Sequence, residues 1–159
     1  MGRTTPSRPL ALLARPLALL DAVAIAAGVL FACRAGTEPN LADIDGSWRY
    51  TETFTDVPHS ITCADSGTYS LRQAGESFVG LYFQHGMCHL PTGVVDNTDS
   101  GTVSEGHLVG RSLRFRAPNC QYDGAVDADS GASISGHVVC VVSDPTKQLN
   151  FSGTWQASR

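Results

Sequence analysis

Five cysteines carry the most readily assigned chemistry in this chain. Cys63, Cys88, Cys120 and Cys140 form an even set with no C-x-x-C pair and none of the paired spacing of a zinc site. They are therefore expected as two disulfides formed in an oxidising compartment, not as metal ligands. Four cysteines allow three connectivities; Cys63–Cys88 and Cys120–Cys140 are favoured because each pair brackets a local strand–turn segment. On the loop-closure model each bridge contributes roughly 3–4 kcal/mol. The histidines offer less. His85 and His89 flank Cys88, with His59, His107 and His137 elsewhere, but no carboxylate is fixed beside them by spacing and C-x-x-C-H is absent. Asp127-Ala128-Asp129-Ser130-Gly131 echoes a calcium loop, yet its glycine comes one position early and Val138 stands where the bidentate Glu belongs, so it reads as a turn. The acidic segment from Asp96 to Asp99 is read in the same way. Hydrolase, nucleotide-binding and zinc-protease motifs are missing. Glu52 is the acid of most interest, because it shares parity with Trp48 and Tyr50. If inward, its burial would raise its pKa for acid–base work, or it could pair with an arginine or face an open mouth. The expectation is a protein without metal, cofactor or catalytic residues.

Such residues must be held by strands. Apolar side chains recur with period two and no helical stripe persists. Trp48, Tyr50 and Phe54 alternate with polar residues, as do Tyr69 and Leu71, Leu113 and Phe115, and Phe151, Trp155 and Ala157. Each pattern predicts a half-buried antiparallel strand. Ala74-Gly75-Glu76 and Asp129-Ser130-Gly131 are expected as turns. The stretches 67–80, 101–110 and 124–136 read as a loose repeat of three hairpins, each with glycine near its outer ends. Eight or nine short strands in tight succession are best closed on themselves, which removes their edges. The fold class predicted is all-β: an antiparallel meander closed into a small eight-stranded barrel with two disulfides.

Cys33 is the odd cysteine. It ends the apolar run Ala22–Ala32, which follows Arg3, Arg8 and Arg15 and is too short to cross a bilayer as a helix. Leu30-Phe31-Ala32-Cys33 resembles the lipobox of bacterial lipoproteins, which implies a lipidated Cys33 as mature N-terminus; cleavage after Ala32 or Ala35 is the alternative left open. The chain is thus divided into a signal peptide (1–32), a lipidated tether (33–44) and a barrel domain (45–159). The resemblance places it in the cell envelope, bound to a lipid bilayer and facing the periplasm or the exterior. From Cys33 onward 8 basic residues meet 14 acidic ones with no basic stripe, which argues against a nucleic-acid partner.

Gly46-Ser47-Trp48 and Gly153-Thr154-Trp155 have the G-x-W form of first and last strands in lipocalins and avidins. With a cysteine before "GTYSLRQ" and a "SFVG" strand before a second cysteine, the order of features resembles small bacterial lipoproteins of unknown function with lipocalin-like or avidin-like barrels. The resemblance implies this architecture and a binding role, without the polar set that holds biotin. Trp48, Tyr50, Tyr69, Tyr82 and Trp155 are the candidate lining of a lumen for one small apolar molecule, with Gln73 as a polar handle; the other reading is that they fill the barrel. Substituting Tyr69 or Tyr82 by Ala is expected to weaken binding more than it lowers stability. The strand Phe78–Phe83 is apolar on both parities, so Val79, Leu81 and Phe83 point outward toward a second copy or a protein partner, unless a bulge near Gly80 reverses them.

Overall fold

The computed structural model describes residues 40–144 and 147–159. Cys33 and the segment 1–32 expected as a signal peptide lie outside them. Nine strands follow in order: β1 (Gly46–Asp56), β2 (Ile61–Ala74), β3 (Ser77–Leu90), β4 (Gly93–Asp96), β5 (Asp99–Val109), β6 (Ser112–Ala117), β7 (Cys120–Val126), β8 (Ser133–Asp144) and β9 (Lys147–Ser158). All except β4 form an antiparallel meander that closes where β9 pairs with β1. This is the expected eight-stranded barrel. The strands β2 and β3 are longer than expected, at 14 residues each. The early part of β3 pairs with β5 and its last residues pair with β4, which extends that edge of the wall.

Alternation puts one face of each of the eight barrel strands inside. Along β1, Trp48, Tyr50, Glu52, Phe54 and Asp56 are buried in strict succession while their neighbours face out. The expected hairpin at 101–110 is corrected: that stretch is the single strand β5. Two residues of β5, Ser104 and Glu105, oppose Val79 alone, so the irregular segment is a bulge with Glu105 at positive φ, and the turn falls at Gly110. Because the extra residue belongs to β5, the parity of β3 stands, and Val79, Leu81 and Phe83 face outward.

One end of the barrel is sealed. Ile44 is fully buried, and Leu41 and Ala42 pack against the core, so the expected tether ending at residue 44 is corrected: its last residues belong to the barrel. Hydrogen bonds explain why. Ala42 N donates to Gly110 O at 2.9 Å, and Ile44 N donates to Gln73 Oε1 at 2.8 Å. Gln73 Nε2 in turn donates to Ala42 O at 3.1 Å. Gln73 is therefore a latch at the closed end and not a lumenal handle. Trp48 donates from Nε1 to Ile44 O at 2.9 Å, and the Arg159 guanidinium lies 4.7 Å from the centre of its ring.

Above this plug lies an aromatic layer. Tyr50 stacks on Tyr69 at 4.1 Å between centroids and Phe115 stacks on Tyr122 at 4.6 Å, with Trp155 edge-on to Tyr69, Phe115 and Tyr122. The rings of Phe78 and Tyr82 fit against Gly106 and Gly101, where a Cβ would fall 2.6 and 2.8 Å from ring carbons. Small residues opposite large ones let the layer fill.

Candidate functional site: a cavity at the open end

At the other end the filling stops. Beyond the aromatic layer is a cavity of about 270 Å³. Its walls are Phe54, Phe151, Ile61 and Leu149, together with the cysteines of both disulfides. Cys63 faces Cys88 across β2 and β3, and Cys120 faces Cys140 across β7 and β8; both pairs are bonded as expected from the sequence. Each side chain has inward parity, so the bridges tie adjacent strands together where they also line the cavity. Two disulfides suit an oxidising, extracytoplasmic setting.

The polar groups of the cavity are almost all acceptors or amides. Glu52 borders it while only 4% exposed, and its Oε2 has no hydrogen-bond partner. Burial pushes this carboxyl up to about 7; the nearby Tyr122 hydroxyl pulls the other way, and the charge of Asp65 adds to the rise. Beside it, the Asp65 carboxylate accepts at Oδ2 from Asn97 Nδ2 at 2.6 Å and from Gln84 Nε2 at 3.4 Å, leaving Oδ1 unpartnered. Burial raises Asp65 as well, against the opposing pull of the Asn97 amide and the more distant His85. Nearer the mouth, Tyr82 donates its hydroxyl to Asp99 Oδ2 at 2.6 Å. Burial first, then that acceptor, raises the Tyr82 phenol far above its ordinary value. None of these carboxylates is ion-paired among the described residues.

Of the five aromatics expected to line a lumen, Tyr82 alone borders this cavity. Trp48 plugs the closed end. Tyr50, Tyr69 and Trp155 belong to the aromatic layer, which is the floor beneath the space. Tyr69 is 2% exposed with an unpartnered hydroxyl, and Trp155 Nε1 donates to Asp123 O at 3.1 Å. Bulk explains the difference, since these rings meet across the barrel and leave no room between them.

The histidines do not converge. His59 Nδ1 meets Asp56 Oδ1 at 2.9 Å in the β1–β2 turn, where Asn150 N also donates to Asp56 Oδ2 at 2.8 Å. His85 touches Ser66 on the outside. No group of three or more potential metal ligands exists among the described residues. The Asp127 loop is a turn, with Oδ1 accepting from Ser130 N and Asp129 N at 2.9 and 3.1 Å.

Sequence reasoning missed Asp65, Gln84, Asn97 and Asp99. Asp65 shares inward parity with Ile61, Cys63 and Tyr69, which was a usable signal. Asn97 and Asp99 had none, because they lie in a polar segment that reaches the mouth only through pairing of β4 and β5 with β3.

Neither a protein-family model nor a curated protein matches this chain. Among solved structures, the S-type phycobiliprotein lyase CPES from Guillardia theta is similar over 73% of this chain and 88% of its own, at a TM-score of 0.43 and 8% identity.

Proposed function

We propose that this is an exported, membrane-anchored lipoprotein whose barrel is a binding module for one small, mainly apolar molecule, and that it is not an enzyme. The observation that carries the reading is the asymmetry of the interior: one end is filled by Trp48 and Ile44, the other keeps a cavity of about 270 Å³ with apolar walls and a few convergent polar groups. Ligand pockets have this character, at roughly 300–1,000 Å³, so a ligand here would be at the small end of the range. Cys33 is the proposed anchor; the disulfides suit the compartment, and the chain enters the barrel at its closed end, opposite the mouth.

The test is an amide NMR titration with 2-phenylethanol, an uncharged one-ring probe. Saturable shifts at cavity residues such as Tyr82 and Ala117 are expected. They should be lost in Ala117→Phe, which fills the space from one wall without introducing a polar group. An absence of saturable shifts in the natural protein would refute the reading.

A second reading has its own observation. Val79, Leu81 and Phe83 are 57%, 60% and 51% exposed on one outer face of β3. Such a stripe would suit a second copy or a protein partner. If Leu81→Ser with Phe83→Ser leaves solution mass and co-purifying partners unchanged, this face is not an interface.

A further inference from the structure

The cavity contains an electrostatic imbalance. Glu52 and Asp99 border it, Asp65 lies behind Gln84, and among the described residues no Lys, Arg or His lines it. Glu52 lines this space, and its Oε2 lies buried in the wall with no donor. An unsatisfied buried carboxylate oxygen costs free energy that a neighbouring donor would recover. The rings of Phe54, Phe151, Tyr82 and Tyr122 surround the same volume, and aromatic faces attract cations, most strongly away from water.

We infer that the ligand carries a cationic nitrogen: the cavity takes a small hydrophobic amine, its ammonium on the Glu52 carboxylate and its apolar body against Phe54, Phe151 and the disulfides. This inference rests on the small-molecule reading above and names the chemical class of ligand for that site. The ammonium supplies the missing donor and the missing charge together. A neutral molecule supplies at best the first, and an anion opposes both.

Proton linkage makes the selectivity depend on pH. The groups facing Glu52 are Tyr50 on its own strand, Asp65 and Tyr69 on β2, Tyr82 on β3, Asp99 on β5 and Tyr122 on β7. None of these is a cation, and the four phenols stay protonated through the range of interest. With Glu52 protonated below about pH 7 in the empty cavity, an arriving ammonium must displace that proton. Affinity for the amine therefore rises between acid and mildly alkaline pH.

Three one-ring probes separate the possibilities by calorimetry on the natural disulfide-bonded protein: 2-phenylethylamine, 2-phenylethanol and 3-phenylpropanoate. At pH 8 the amine is expected to bind about tenfold or more tightly than the alcohol, the size of one charge-assisted hydrogen bond, and the carboxylate more weakly than either. At pH 5.5 the preference should vanish, while the alcohol is unaffected. In Glu52→Gln the amine and alcohol should bind alike at both values. Equal binding of amine and alcohol at pH 8 would overturn the cationic inference and leave the binding module standing. A preference that survives in Glu52→Gln would overturn the assignment to this carboxylate. Failure of all three probes would overturn the inference together with the reading beneath it.

Discussion

Replacing Glu52 by Gln should stabilise the protein at alkaline pH and change it little in acid. The carboxyl is 4% exposed and is raised from its ordinary 4.5 to about 7, chiefly by burial. At about 1.4 kcal/mol for each pH unit, ionising it inside the fold costs about 3 kcal/mol. The folded state holds this proton more tightly than the unfolded chain. The contribution of protonated Glu52 is therefore whole below pH 4.5, declines as pH rises toward 7 and is gone above it. Gln keeps the shape and amide polarity without the titration. The difference in unfolding free energy, variant minus natural protein, should thus lie near zero at pH 4 and reach about 3 kcal/mol at pH 8.5, or about 10 °C in Tm for a domain of this size. Urea unfolding followed by tryptophan fluorescence is a suitable assay, since Trp48 and Trp155 are both buried. Taking the difference removes groups that do not interact with Glu52, such as the lowered Asp56. A difference that stays flat from pH 4 to pH 8.5 would refute the argument that Glu52 is buried, unpaired and perturbed.

Three further outcomes are expected. Tyr69→Ala should cost about 3–5 kcal/mol in chemical denaturation, the range of a large aromatic truncation in a packed core, whereas Tyr82→Ala, at the cavity wall, should cost less and act mainly on ligand affinity. This revises, for Tyr69, the sequence expectation of an effect on binding above stability. Replacing Cys120 and Cys140 together by Ala should remove about 3 kcal/mol, since the bridge closes a separation of 20 residues, with the loss read from urea midpoints. With the protein produced in a bacterium, Cys33→Ser should abolish metabolic labelling with an alkyne fatty acid and shift the protein from the membrane to the soluble fraction; labelling that persists would contradict the proposed anchor.

Much of this fold was legible because alternation and burial have the same period. Trp48, Tyr50 and Phe54 declared the inner face of β1, and Glu52 was inward by position although its chemistry argued otherwise. The disulfide partners followed from local hairpins, and the register seats Cys63 opposite Cys88 and Cys120 opposite Cys140. The hollow end was not legible. Inward positions recur with the same spacing from one end of β2 and β3 to the other, so nothing in Tyr69 or Tyr82 alone tells floor from wall. That difference depends on how rings from opposite sides of the barrel meet and on the Leu41–Ile44 segment closing one end. The polar rim was hidden for a related reason: Asn97 and Asp99 have no apolar neighbours to report their orientation, and their position comes from strand pairing distant in sequence. The stretch 101–110 reads as a hairpin with glycine near both ends, yet backbone pairing runs through the bulge at Ser104–Glu105 to Val109.

The binding module is tested most directly by native mass spectrometry of the protein produced with its full leader in a bacterium and purified under mild conditions with both disulfides formed. A discrete extra mass on the monomer is expected, released on unfolding and absent from Ala117→Phe, with extraction yielding a small molecule that bears an amine. An unliganded monomer that also takes up neither 2-phenylethanol nor 2-phenylethylamine would contradict the binding module.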